Sequence, residues 1–350
     1  LSDPSETLTL LSPLRLSETY TEPSAFRLLA ELGRAFDGPA ARIGSKLDAL
    51  GSALESPSIR DLPSDFETGT ALKRTAALEL DRYMRVRHVE SDSPASVLVA
   101  SLISACRAFY WLSPRAKIES VELERVALGF STQHSVLARV LGVPATPLHL
   151  PLPVASAKPD RAPPTEDLLE VWRRGHWIFF VLTQGLTLAL KRFSAALRKR
   201  AFEPARLELR AANALLWASG ASMKLAGSFS DAEYHASVRP TMTQGDPASL
   251  VEHSSLSGTM TWDHHFLVSR VWREELIPAV AELPFELRSD YDDFLRAYRE
   301  GLATGHRAVC SKFSGDTMGS LVAPHQIATE ILDKIEARRL AQLGAVPPSD

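Results

Sequence analysis

The sequence predicts an all-α fold, a helical bundle, on three observations. Apolar residues recur at spacings of three and four over long segments. Alternation with a period of two is rare and short, and the dipeptides that close β-hairpins are scarce. No repeat of solenoid length appears. The expectation is a single helical domain over 24–343, with an irregular arm (1–23) before it and a tail (344–350) after it.

The elements follow in order. Residues 24–36 have Ser24 as an N-cap ahead of apolar residues at helical spacing. Residues 64–89 read as one long helix, with Ser64 and Glu67 spaced as a capping box. Residues 92–112 open with Asp-Ser-Pro, and proline suits a first turn. Residues 117–142 give one or two further helices. The stretch 142–167 then carries seven of the 23 prolines and cannot be a regular helix. It reads as an irregular Pro-rich loop, either a surface linker or an ordered cover over a site, the latter because "LHLPLP" is apolar. Residues 165–199 start at Thr165 with acids in the first turn and end in "LRKR", which suits the helix dipole at both ends. Residues 203–225 make another helix. A polar, glycine-bearing stretch spans 226–258, and helices resume near 259–275, 289–314 and 322–343. The charged residues of 65–90 and 192–210 read as solvated helix faces.

Composition limits the function. Of the 350 residues, 45% are hydrophobic and 23% charged, as in a globular chain. The formal charge is −3, and no basic stripe interleaves with aromatics, so no nucleic-acid partner is expected. The two cysteines, Cys106 and Cys310, rule out a disulfide framework and suggest a reducing, cytoplasmic setting. The opening residues lack the basic start and apolar core of a secretory leader. The most apolar run, Trp177 to Leu190, is shorter than the ~20 residues of a membrane span. It reads as a buried core helix, and no membrane partner is expected.

Two segments carry candidate chemistry. In the helix from Ser289, Leu295, Tyr298, Leu302, Val309 and Phe313 mark one face, which His306 and Cys310 continue. Asp292, Arg296, Arg299, Glu300, Arg307 and Lys312 mark the solvent side. His306 therefore points inward, with Cys310 one turn above it. A buried histidine needs partners for both ring nitrogens, and a metal meets that need as well as a hydrogen bond does. The paired Cys-x-x-Cys knuckles of a structural zinc site are absent, as is His-Glu-x-x-His. Upstream, Asp263-His264-His265 opens another apolar helical segment, and one of the two histidines must face the core.

The spacing His265…His306-Arg-Ala-Val-Cys310 resembles the His-xn-His-x-x-x-Cys signature of the histidine-ligated haem tyrosine hydroxylases, which include 3-methyl-L-tyrosine and L-tyrosine hydroxylases of natural-product pathways. The gap here is slightly longer than the family's, leaving the choice between His264 and His265 open. The motif covers only residues 265–310. The resemblance implies a tryptophan 2,3-dioxygenase-like helical domain with haem between helices. It implies iron ligation by His306, a second ligand at His265 or His264, and a thioether from Cys310. The ~6 Å rise of one helical turn is similar to the reach from haem iron to a peripheral vinyl group. Cys-x-x-Cys-His is absent, so a single thioether is the most the chain offers there.

Peroxide chemistry also needs a polar group to handle protons, and histidine suits it. The candidates are His149, then His134, then His176. The amino-acid end of a substrate needs a carboxylate partner. Arg239 fits, in backbone kept extended by the following proline, with Ser257 and Thr259 beside a glycine. The implied activity is hydroxylation of L-tyrosine or 3-methyl-L-tyrosine ortho to the phenol. Hydrogen peroxide, or dioxygen with a reductant, supplies the oxygen. A homodimer is compatible with this. The rival readings are a haem dioxygenase acting on a tryptophan derivative and a cofactor-free helical scaffold.

Overall fold

The computed structural model describes residues 6–33, 36, 43–60, 75–143, 167–243, 261–315 and 325–344. Helices dominate, as the periodicity predicts, and the buried side chains form one connected core. At its centre is a hairpin of two long helices, α7 (Leu168–Arg198) and α8 (Phe202–Ala226). Asp167 caps α7 by accepting from the Glu170 N–H, while Thr165 lies outside the described residues. Between Trp177 and Leu190 every residue of α7 is buried, so this helix is apolar around its whole circumference. The chain reverses at Arg200, which takes φ 54°.

Around the hairpin pack α1 (Pro23–Gly33), α2 (Ile43–Leu54), α3 (Pro57–Arg60), α4 (Thr75–Met84), α5 (Pro94–Leu112) and α6 (Ser120–Val140). Pro94 occupies the first turn of α5, and residues 117–142 prove to hold one helix, α6. Among the described residues one helix, α5, is long and apolar enough to cross a membrane, and 72% of that stretch is buried in the protein.

The structure corrects three expectations here. The first 23 residues are not wholly irregular: Leu8–Leu11 form a buried strand, β1. It pairs in parallel with β2 (Val86–Val89), with Leu8 opposite Val86 and Leu11 opposite Val89. The helix expected to run to residue 89 stops at Met84, because Arg85 turns left-handed at φ 51° and Val86–Val89 join β1. β-branched Val86 and Val89 stand at the two ends of that strand, where such residues pack well. Ser64 and Glu67 lie outside the described residues, as does the Pro-rich stretch from 144 to 166. The charged residues are not all solvated either. Glu208 is buried, and Arg139 grips it with two bonds of 2.8 Å while Arg192 donates to it at 2.7 Å, tying α6, α7 and α8 together.

The remaining helices contain π-helical turns. Helix α9 (231–243) includes Tyr234–Val238 in that form, so part of the stretch expected to be irregular is helical. Ser230 and Glu233 form its capping box. Helix α10 (262–281) is π-helical over Leu267–Leu276, and α11 (288–314) over Ala297–Ala303. Helix α12 (Ala328–Gln342) lies against α11.

Candidate functional site

A seam of glycines sets the position of His306. A Cβ on Gly220 of α8 would lie 2.1 Å from the Gly301 carbonyl oxygen, and one on Gly305 would lie 2.9 Å from the Gly220 Cα. The backbones of α8 and α11 therefore touch, and His306 follows directly. Farther along, Gly227 meets Val309 and Phe313, so α11 runs parallel to α8. Gly175 of α7 packs on Ala226, so α7 runs antiparallel to both. Trp172 of α7 meets Phe313, with ring centroids 6.4 Å apart. One turn onward along α7 is His176, and one to two turns back along α11 are Cys310 and His306.

The two imidazoles are close enough to interact. Burial, with smaller contributions from His176 and Arg339, pushes His306 down to about 4. His306 nevertheless keeps some accessible surface. No described residue hydrogen-bonds it. Burial also pushes His176 down to about 4. Its Nδ1 lies 2.7 Å from the Trp172 carbonyl oxygen, which can only accept. Nδ1 therefore carries the proton, and Nε2 carries the lone pair. Both rings are neutral near pH 7. Cys310 is a free thiol, and burial raises it to about 11.

The surrounding walls are aromatic. Phe313 stacks with Tyr234 at 4.2 Å and 12°, and with Phe229 at 5.4 Å. The Trp172 ring lies 4.3 Å from His176, and its buried Nε1 has no hydrogen-bond partner among the described residues. Burial raises the Tyr234 hydroxyl, while a hydrogen bond with Arg239 pulls it down; Cys310 is within electrostatic reach. Among the described residues, no group of three or more His, Cys, Asp or Glu could hold a bare metal ion. The four nitrogens of a porphyrin would complete the coordination of a metal held by His306. Neutral imidazoles, a thiol one turn away and flat apolar walls suit that group.

The structure sorts the other candidates. Thr261 caps α10 and accepts from the His264 N–H at 3.3 Å. His264 is half-buried, and its Nε2 accepts from Arg339 at 3.4 Å. Arg339 also bonds Tyr298 and acts on His306, so His264 belongs to the neighbourhood of the site. His265 does not: one residue on, rotated by about 100°, its side chain is exposed. That corrects its expected place as a ligand. His134 is also displaced from its expected role. Its Nε2 donates to the Leu29 carbonyl at 2.8 Å, and the ring packs against Gly33 and Phe36 at the contact between α1 and α6. Arg239 is helical rather than extended, with φ −55° and ψ −43°. His149, Ser257 and Thr259 lie outside the described residues.

One network was not legible beforehand. His88 on β2 is buried between Asp81 and Asp263, and Gln184 of α7 donates to the second oxygen of Asp263. These residues are scattered along the sequence and belong to no motif.

Comparison with known proteins bears on most of the chain. The family model of SfmD 3-methyl-L-tyrosine peroxygenase matches residues 9–290. The chain belongs to this family. The matched span stops short of His306 and Cys310, so membership rests on other residues, and the histidine–cysteine pair is a separate observation. A 3-methyl-L-tyrosine peroxygenase from Streptomyces lavendulae is 28% identical over 215 residues, which is 59% of this chain and 55% of that protein. The aligned part thus spans little more than half of that relative's length. The crystal structure of reduced SfmD, soaked with sodium hydrosulfite, superposes with a TM-score of 0.54 at 19% identity, covering 87% of this chain and 94% of the other. That likeness shows a shared fold.

Proposed function

We propose that the chain is a haem-dependent peroxygenase that hydroxylates 3-methyl-L-tyrosine or L-tyrosine ortho to the phenolic oxygen in a natural-product pathway. The observation that carries this reading is the pairing of His306 and Cys310, one turn apart on one partly buried helix face, with His176 within electrostatic reach of His306. Family membership supports the reaction class.

His306 would hold the iron through a ring nitrogen. Cys310 would hold the porphyrin edge through a thioether, formed when the thiol adds across a vinyl group with no electron gained or lost. Bound haem supplies the oxygen-activating chemistry of iron. His176 keeps an acceptor nitrogen and would take a proton from peroxide; of the two described candidates, His134 and His176, it is the one within electrostatic reach of His306. His264 is the inward member of the upstream pair and would serve as an exchangeable second histidine. Tyr234, Phe313 and Phe229 exclude water and offer flat surfaces to a phenol ring. Arg239 would take the substrate carboxylate. Overall, an aromatic C–H and hydrogen peroxide give a C–OH and water.

The test is intact mass followed by turnover. The haem-loaded chain should carry a haem adduct on Cys310 and transfer one labelled oxygen from peroxide to 3-methyl-L-tyrosine or L-tyrosine. A chain that takes up no haem, or that oxidises neither substrate when loaded, would overturn the reading.

A further inference from the structure

The residue before His264 is fixed by contacts that the chemistry above does not use. One oxygen of Asp263 lies 2.6 Å from His88 Nε2, and an oxygen of Asp81 lies 3.0 Å from His88 Nδ1. The other oxygen of Asp263 accepts from the Gln184 amide at 2.8 Å. The same amide nitrogen donates to the Leu11 carbonyl at 2.8 Å. The His88 ring meets Trp262, the first residue of α10, edge-on at 5.3 Å. Five elements thus meet in one hydrogen-bonded network: β1, α4, β2, α7 and α10.

The chemistry of this bridge is constrained. A neutral imidazole has one donor, yet both ring nitrogens of His88 face carboxylate oxygens. Both must therefore donate, and the ring is a buried imidazolium. The two carboxylates hold His88 at about 10, against the pull of burial. Asp81, His88 and Asp263 are all buried. The bridge reaches the first turn of α10. Asp263 is pinned to β2 on one side and to α7 and β1 on the other, while Thr261 caps the same turn. A rotation of about 100° is all that separates the inward His264 from the exposed His265. The phase of this turn decides which histidine enters the site.

We propose that the Asp81–His88–Asp263 bridge is a positioning device that sets the first turn of α10 so that His264, not His265, is presented to the haem. The inference rests on the reading of His306 and His264 as the two histidines at the iron. Breaking the bridge separates ligation by the second histidine from retention of haem, because Cys310 and His306 sit on another helix.

The test uses the haem-loaded full chain and reads the ferric coordination state by optical and electron paramagnetic resonance spectra. Wild type should be six-coordinate and low-spin. His88→Gln should raise the ratio of five-coordinate, high-spin haem to low-spin haem by about tenfold, the scale of losing a support behind a metal ligand, with the haem still attached. His264→Ala should reach the same end state, His265→Ala should not, and added imidazole should restore the low-spin spectrum of His88→Gln. If His88→Gln does not fold, Asp263→Asn, which keeps the side-chain shape, carries the same expectation. A folded bridge variant with the wild-type low-spin spectrum would overturn the proposal. So would a haem-bound wild type that is five-coordinate. A chain that takes up no haem would overturn the proposed function as well, which tells the two failures apart.

Discussion

Protonation at single side chains divides the polar core into opposite types. His88 is held charged by two carboxylates, whereas His176 and His306 are kept neutral by burial. In the unfolded chain a histidine titrates near ~6.5. A folded value raised to about 10 means that His88 stabilises fully below that unfolded value, and the gain is lost as pH rises through about 10. Denaturant midpoints measured from pH 6 to 10 should therefore fall more steeply for wild type than for His88→Gln; parallel curves would show that the bridge carries no charge. Cys310 gives a second residue-scale prediction. Cys310→Ala should leave haem binding in place and make the haem extractable by acid–acetone, while the wild-type haem stays with the chain. Equal retention in both would remove the thioether. The sequence made Cys310 and His306 legible because they share one turn of one helix. It did not favour His176, whose relevance comes from antiparallel packing of α7 against α11, nor His88, whose partners are Asp81 and Asp263.

Helices were legible where a buried face repeats over many turns, and less so where tertiary contacts override the pattern. The apolar runs of α5, α7 and α8 gave their positions to within a few residues. The end of α4 was missed because pairing with β1 claims Val86–Val89. The glycine seam was missed for a different reason: Gly220, Gly301 and Gly305 look like weak points of helices until the facing helix is known. Their role is close approach, since any Cβ there meets backbone. Gly220→Ala and Gly305→Ala should each destabilise the chain by about 1–3 kcal/mol, the usual cost of overpacking, and should weaken iron ligation by His306. Gly44 is the control, because a Cβ there meets nothing within 4 Å. Gly44→Ala should not lower the denaturant midpoint. Equal losses at Gly44 and Gly305 would mean that the seam is not special.

At the scale of the whole molecule, the proposed site is assembled from segments far apart in the chain. Helix α7 brings His176, α10 brings His264, α11 brings His306 and Cys310, and α12 brings Arg339. The histidine pattern implied the middle two, but nothing in it implied α12. That helix has no fully buried residue of its own. It is held by Arg307, which pairs with Asp333 and with Glu336 at 3.0 Å, and by the Tyr291 hydroxyl, which donates to the Leu343 carbonyl at 2.9 Å. Leu343 itself is buried. A helix attached this way opens more readily than the α7–α8 core, because few apolar contacts must break. Arg307→Ala removes both ion pairs. Such partly exposed pairs each contribute up to about 1 kcal/mol, so α12 should open several-fold more often while the core stays closed. Hydrogen exchange should then quicken over residues 328–342 and remain unchanged over 177–190. Uniform acceleration across both segments would mean that α12 unfolds only with the entire molecule, and that Arg339 is as firmly placed as the core histidines it faces.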